Sequence, residues 1–226
     1  MKKLFTLITT ASLLVVVLNS CNKENAPVPG SDSHREVDVP AIDVIVEEVP
    51  LAGFNDVVNN TNVDVVVVPD ADYSMVVEAT DVATLAEITP IISGGTLTVD
   101  APAAVTDATI YVHTPVIGTV RVNKNGNMRT SGNYSQLNVE VKGNGSSTLT
   151  GTTTGLSVMG GGNGNVDALG MPAIDVVVNM KGNSVVRVAA QATLNVDLSG
   201  NTKVYYTGNP VITKKLKGNA KLIKLY

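Results

Sequence analysis

The chain of 226 residues contains one cysteine, two histidines, no tryptophan and only 4 % aromatic residues. One cysteine excludes an intrachain disulfide framework, and one cysteine with two histidines cannot form a Cys/His zinc site within a single chain. Because aromatic residues are so few, the core must be built from Val, Leu, Ile and Ala. Together with 20 glycines, this composition is typical of short, repetitive β-strands and predicts an all-β protein without a cofactor.

Residues 1–20 are predicted to be a lipoprotein signal peptide. Met1, Lys2 and Lys3 precede an uncharged apolar run over residues 4–18, which is shorter than the roughly 20 residues of a membrane-spanning helix. The run leads into Leu18-Asn19-Ser20-Cys21, which resembles the lipobox of bacterial lipoproteins. Cys21 is therefore predicted to be lipidated and to anchor an exported protein to the outer membrane, facing the cell surface or the periplasm.

Three segments follow the signal peptide. Residues 21–36 hold the anchor cysteine and a polar stretch interrupted by Pro and Gly, which predicts a flexible tether. Residues 37–118 have alternating β patterns and form an N-terminal β region. Residues 119–226 carry an internal repeat. At roughly 100 to 200 residues per domain, the folded part amounts to about one domain.

The two parts of the mature chain have opposite charge. Residues 21–118 contain 16 acidic and two basic residues, whereas residues 119–226 contain 12 basic and four acidic residues. The parts could pack together or attract other copies end to end, giving a homo-oligomer, or the basic part could bind an anionic polymer. Nucleic acid is not expected as a partner, because the basic residues are dispersed and lack interleaved aromatics.

A Gly-Asn pair recurs through the second part at nearly even spacing. The six pairs begin at Gly126, Gly143, Gly162, Gly182, Gly200 and Gly218. An aliphatic residue lies six positions before each glycine, and in the first five units a valine follows two positions later. Alternating apolar residues before a Gly-Asn turn indicate a short strand with one buried face. The asparagines of the six pairs are Asn127, Asn144, Asn163, Asn183, Asn201 and Asn219.

Strands of this length cannot close a sheet alone, and a repeat period of about 18 residues is typical of a solenoid. We therefore predict a parallel β-helix of about 18-residue coils, right-handed by the usual rule for parallel connections. The six asparagines are predicted to superpose as a structural ladder that turns the chain at each corner.

The N-terminal β region leaves two alternatives open. Its strands form either earlier, irregular coils or a sheet that caps the exposed end of the solenoid. Asp81 is predicted to cap a short helix before Pro90. The Lys-rich C-terminus is predicted to protect the other end.

Several segments together resemble the family of the putative auto-transporter adhesin, head GIN domain. They are GFNDV at residues 53–57, VDVVVVPDADYSMVV at 63–77, GGTLTVD at 94–100, VHTPVIGTV at 112–120 and the serial Gly-Asn coils ending in VYYTGNPVITKKLKGNAKLI at 204–223. The resemblance implies an exported β-helical protein, often a lipoprotein, with an adhesive role.

Catalytic and metal-binding arrangements are weaker hypotheses. Glu140 and Asp197 share a coil position but lie three coils apart, about 14 Å at about 4.8 Å per coil, which is too far for a glycosidase pair. Asp167 and Asp175 remain a candidate carboxylate pair. His113, the glycines of residues 160–164, and Asp70 with its neighbouring acids favour structural roles over catalysis, phosphate binding and calcium binding, respectively.

The sequence thus predicts a non-catalytic, lipid-anchored adhesin that binds a polysaccharide or another cell-surface component through one face of the solenoid. Lys142, Lys181 and Lys217, each directly before a coil glycine, form a candidate stripe for an acidic glycan. Two alternatives stay open: a weak or degenerate polysaccharide lyase or hydrolase, and a structural envelope module that self-associates.

Overall fold

The computed structural model describes residues 14–18 and 44–226. The predicted lipidation site and tether, and the signal peptide apart from residues 14–18, lie outside these residues. The strands are β1 (Leu14–Leu18), β2 (Val44–Pro50), β3 (Asp56–Asn60), β4 (Asp64–Pro69), β5 (Ser74–Ala79), β6 (Thr89–Ser93), β7 (Thr96–Asp100), β8 (Ala108–Thr114), β9 (Thr119–Val122), β10 (Asn127–Gly143), β11 (Ser146–Gly162), β12 (Asn165–Gly182), β13 (Val185–Gly200), β14 (Lys203–Thr207), β15 (Val211–Leu216) and β16 (Lys221–Lys224). Within these residues, one helix, α1 (Val82–Glu87), interrupts the strands.

The long strands β10 to β13 are successive coils of a parallel β-solenoid of about six turns, as the Gly-Asn repeat predicts. Leu137 pairs with Leu156, which pairs with Val176, which pairs with Leu194, so the chain returns to the same row once in every coil. The coil length is roughly 19 residues, close to the prediction. The usual rule for parallel connections predicts a right-handed winding for these coils.

The core lies inside the coils. Apolar side chains alternate with exposed ones, and equivalent positions stack coil upon coil into buried rows. One such row continues from Val141 through Gly160, Met180 and Leu198. A side chain at Gly160 would not fit, because its Cβ would lie 2.1 Å from the carbonyl oxygen of Val141. Burial of these rows is the main stabilising contribution that the repeat provides.

The N-terminal region contains both coils and a cap, so both alternatives from the sequence hold. Strand β3 pairs in parallel with β7 and β9, and β4 pairs in parallel with β8 and β10. The coil of β7 and β8 therefore stacks outside the coil of β3 and β4, although it comes later in the chain. Stacking order and chain order differ at this end of the solenoid.

Antiparallel strands and the helix close this N-terminal end. Strand β5 pairs with β8, β6 pairs with β7, and β2 pairs with β5, all antiparallel. Helix α1 connects β5 to β6 and buries Leu85 in the core. The predicted cap is confirmed: Asp81 accepts a hydrogen bond from the Thr84 backbone N–H at 2.8 Å. Strand β1, within the predicted signal peptide, pairs with β2.

The C-terminal end is open within the described residues. Strand β15 pairs only with β13, and β16 pairs only with β14. Leu216 continues the row of Leu198, yet it is 39 % exposed whereas Leu198 is fully buried. The lysines predicted to protect this end include Lys214, which occupies the row position of the buried Val196 and so places a charge where a further coil would pack.

Candidate functional site

An asparagine ladder runs along the corner that follows each coil glycine. The side-chain amide of Asn163 donates to the Oδ1 of Asn144 at 2.8 Å and accepts from Asn183 at 3.0 Å. Each of the other rungs is formed in the same way. The complete ladder comprises Asn62, Asn125, Asn144, Asn163, Asn183, Asn201 and Asn219.

Asn127 does not belong to this ladder, contrary to the sequence prediction. It pairs in register with Ser146, donates to Asp64 at 2.7 Å and accepts from the Ser146 hydroxyl at 2.6 Å. Asn125 takes the ladder position, 19 residues before Asn144. The Gly126-Asn127 pair was misleading because its asparagine comes two positions after the true ladder residue. This offset also explains why the first step of the Gly-Asn repeat is shorter than the others.

Glycine and asparagine have different roles at each corner. Gly143, Gly162, Gly182, Gly200 and Gly218 all have positive φ, whereas no residue other than glycine does in the described chain. The ladder asparagines therefore do not use the left-handed conformation that the prediction allowed them. Their contribution is the inter-coil amide hydrogen bond, while glycine alone makes the turn.

The three predicted lysines share one row, on alternate coils. Lys142 pairs with Gly161, which pairs with Lys181, which pairs with Ser199; Lys217 follows on the last coil. Lysines two coils apart are separated by about 10 Å along the axis. Small residues at the intervening positions leave space between neighbouring lysine side chains.

A shallow groove of about 570 Å³ lies between Lys142 and Lys181. Its floor is formed by Gly160, Gly161 and Gly162 together with Met159, which is 42 % exposed. At Gly161 an added Cβ would lie 3.8 Å from its nearest neighbour, the Lys181 carbonyl oxygen, so this glycine keeps the surface open. The glycine run thus shapes a surface groove as well as the corner that the sequence predicted.

One side of the groove is held by a charged cluster that the sequence did not reveal. The carboxylate of Glu140 accepts a hydrogen bond from the Arg121 Nε and pairs with the Lys142 Nζ at 2.7 Å. Burial raises the pKa of Glu140, but hydrogen bonds and charge from Lys142 and Arg121 outweigh it, and the pKa lies below its ordinary value. Glu140 therefore stays ionised and fixes Lys142 at the rim.

Each candidate carboxylate has a hydrogen-bond or ion-pair partner that is not a carboxylate. Glu140 and Asp197 are in one row with Met159 and Asn179 between them, three coils apart as expected. Asp167 accepts from the Leu169 backbone N–H at 3.2 Å. Asp175 accepts from the Thr193 hydroxyl at 2.6 Å. Both aspartates lie on β12; Asp167 forms a bond within its own strand, and Asp175 bonds to the neighbouring coil β13.

The remaining titratable candidates lie at the N-terminal end. His113 Nδ1 and Asp70 Oδ2 are 3.0 Å apart, and this hydrogen bond, with bonds from the Ala71 and Asp72 backbone, lowers the pKa of Asp70. In the described residues, no group of three or more His, Cys, Asp or Glu side chains is arranged to hold a metal ion.

Fold and surface together define a parallel β-solenoid whose exposed faces carry repeated polar rows around a shallow, basic groove. The chain belongs to the family described as "Putative auto-transporter adhesin, head GIN domain", whose model matches residues 53–210. The match covers most of the described chain, from just before β3 to just after β14. Among curated proteins, no sequence matches this chain.

Solved structures share the fold at low sequence identity. A putative adhesin from Bacteroides fragilis is 16 % identical, with a TM-score of 0.60 over 82 % of this chain and 96 % of that one. A putative lipid binding protein from Parabacteroides distasonis is 15 % identical, with a TM-score of 0.51 over 81 % of this chain and 97 % of that one.

The adhesin description of the family indicates a cell-surface or envelope protein with a binding role. Among the described residues, no helix has the length and apolar character needed to cross a membrane.

Proposed function

We propose that this protein is a lipid-anchored, non-catalytic adhesin that binds an acidic polysaccharide along the lysine row of the solenoid. The observation that carries the proposal is the groove between Lys142 and Lys181, where two cations flank an open glycine floor. A polymer with regularly spaced carboxylates can contact successive lysines at once. Such a ligand gains avidity from several weak contacts rather than from one deep pocket.

The chemistry of the groove suits a sugar polymer that carries negative charge. Exposed Met159 supplies an apolar surface for a pyranose face, and Asn179 supplies an amide beside it. Lys142 is held in place by Glu140, and Lys181 makes no ion pair within the described residues. The absence of a carboxylate pair among the described residues that line this groove supports binding without chain cleavage.

Cys21 and the segment 21–36 would present this face away from the bilayer. Fifteen residues of tether span at most about 50 Å when fully extended. The lipid anchor is tested by expressing the chain and its Cys21→Ser variant with a labelled fatty acid. Label in the parent chain only is the expected result, and unlabelled parent protein would contradict the anchor.

Glycan binding is tested with a soluble chain starting at Asn22, which retains every described element except β1. The probe is polygalacturonate, with dextran as the neutral comparison and phospholipid vesicles as a third arm, because one structural neighbour is described as lipid binding. Bound protein and newly released reducing or unsaturated ends are recorded together. We expect binding to polygalacturonate alone, weakening as salt is raised, without new chain ends.

The lysines are tested by the double variant Lys142→Gln/Lys181→Gln, matched with Lys203→Gln, an exposed lysine outside the groove. Loss of the two groove cations is expected to weaken polygalacturonate binding by about tenfold or more, while Lys203→Gln leaves it unchanged. Equal binding by both variants would place the ligand elsewhere. Chain cleavage would favour an enzyme, and binding only to vesicles would favour a lipid ligand.

A further inference from the structure

We infer that the two ends of the solenoid are complementary docking surfaces through which copies of this protein associate head to tail. The first observation is the distribution of charge along the stacking axis. Residues 44–118, which build the N-terminal cap and two coils, contain 11 acidic residues and no Lys or Arg. Residues 119–226 contain 12 basic and four acidic residues.

The second observation is the exposed edge of the last described coil. Within the described chain, β15 and β16 each have a partner on one side only, so their outer edges offer free backbone hydrogen-bonding groups. Ile212 and Leu216 continue buried rows and are nevertheless exposed. This surface has the composition of the core, and no further coil covers it within residues 44–226.

The charge of the lysines at this end indicates which surface can dock there. Lys214 follows Val196 in a core row and Lys224 follows Tyr206, so both cations border the open core. Two such ends brought together would place these charges against each other, which opposes tail-to-tail stacking. An occupant that brings carboxylates would neutralise them while covering Ile212 and Leu216.

The N-terminal cap of a second copy meets this requirement. One sheet runs from β2 at the cap through the coils to β16, so a copy added at either end extends it. Glu48 on β2 and Glu87 on α1 are exposed, and neither forms an ion pair within residues 44–226. Strand β1 lies on the outer edge of β2, so removal of the predicted signal peptide would free that edge.

The test uses sedimentation velocity of the soluble chain from Asn22, over a concentration series in low salt and in about 0.5 M salt. Two charge-reversed variants are compared with it: a tail variant, Lys214→Glu/Lys224→Glu, and a cap variant, Glu48→Lys/Glu87→Lys. All four residues are exposed and lie outside the proposed glycan groove. Circular dichroism verifies that each variant retains its β-structure.

We expect the unmodified chain to self-associate in low salt and to dissociate in high salt. Each variant alone is expected to lose at least about tenfold in self-association, and an equimolar mixture of the two to regain it, because the acidic tail of one faces the basic cap of the other. Monomers at every concentration, or a mixture no more associated than its components, would overturn the inference. Glycan binding through Lys142 and Lys181 is unaffected by either outcome.

Discussion

The two ends of the solenoid adjoin the same kind of core, but the described residues cover it at the N-terminal end and leave it exposed at the C-terminal end. At the N-terminal end, antiparallel strands and helix α1 cover the outermost coil, and Leu85 is buried beneath them. At the C-terminal end, the rows of Leu194 and Leu198 run out into Ile212 and Leu216, which remain exposed.

The difference shows that the contribution of a coil to stability depends on whether it has a neighbouring coil on both sides. A coil between two others has its apolar residues covered and its backbone groups paired on both edges, whereas the last coil is covered on one side. Stability should therefore be greatest in the middle of the stack and decrease towards the C-terminal end. The same substitution made in the middle and at the end measures that gradient.

The largest effect is expected for leucine truncation in one row. Leu198→Ala removes a fully buried side chain between neighbouring coils and should lower the free energy of unfolding by about 3 kcal/mol. Leu216→Ala removes an exposed side chain from the adjoining position and should cost less than about 1 kcal/mol. Urea unfolding of both variants gives the comparison, and equal losses would show that the last coil is as well covered as the middle ones.

Corner glycines should show the next largest contrast. Gly182 has φ +101°, and a Cβ there would lie 2.4 Å from the Gly162 carbonyl oxygen, so Gly182→Ala should cost about 2 to 3 kcal/mol. At Gly218, with φ +71°, the corresponding distance is 3.1 Å, and the cost should be about 1 kcal/mol from the backbone conformation. Thermal unfolding ranks the two. The proposed gradient fails if Gly218→Ala is the more damaging.

Acid should weaken the charged cluster of Arg121, Glu140 and Lys142. The pKa of Glu140 is depressed in the folded state, so its carboxylate stabilises the protein above the ordinary glutamate pKa, and this stabilisation is lost as pH falls. Between about pH 5 and pH 3, the parent chain should lose about 1 kcal/mol more of its free energy of unfolding than the Glu140→Gln variant does.

The matched control for the acid experiment is Asp197→Asn. Asp197 lies three coils further along the same row, is half exposed and is 3.4 Å from the Lys215 Nζ. Its removal should lower the free energy of unfolding by only a few tenths of a kcal/mol, because an exposed ion pair contributes little. Denaturant midpoints measured across the pH range compare the two variants. Identical profiles for them would argue against the strength of the Arg121–Glu140–Lys142 cluster.

The smallest effect is expected at the covered end. Asp81→Ala removes the side chain that accepts from the Thr84 backbone N–H and should loosen helix α1 without affecting the long coils. Because α1 covers the outermost coil, amide hydrogen exchange should rise first in β6 and β7 and remain unchanged in β13. Uniform exchange along the whole chain would mean that the cap is not a separate unit.

The repeating part of the fold was predictable because its apolar residues recur at nearly constant spacing. Leu137, Leu156, Val176 and Leu194 read as one row from the sequence and are paired neighbours in the structure. The N-terminal stacking was not predictable, because β3 pairs with β7 and β9, both distant in the chain. Local patterning identifies strands but does not specify such long-range partners.

The candidate site was predictable only in part. The lysine row follows from positions fixed relative to the coil glycine, so Lys142 and Lys181 could be placed on one face. The groove between them required the structure, since it depends on Gly161 lying outward and on Met159 being exposed. The Arg121–Glu140 pair joins neighbouring coils. Aligning the sequence on the Gly126-Asn127 pair shifts the first coil by two positions, so the sequence did not place Arg121 beside Glu140.

The proposed binding face is tested most directly by hydrogen–deuterium exchange of the soluble chain with and without polygalacturonate. Protection is predicted in residues 140–143, 159–162 and 179–182, which contain the lining of the groove, with no change in β14 and β16, which lie outside it. Protection confined to the lysines of the last coil, or spread evenly over every basic segment, would contradict a binding site between Lys142 and Lys181.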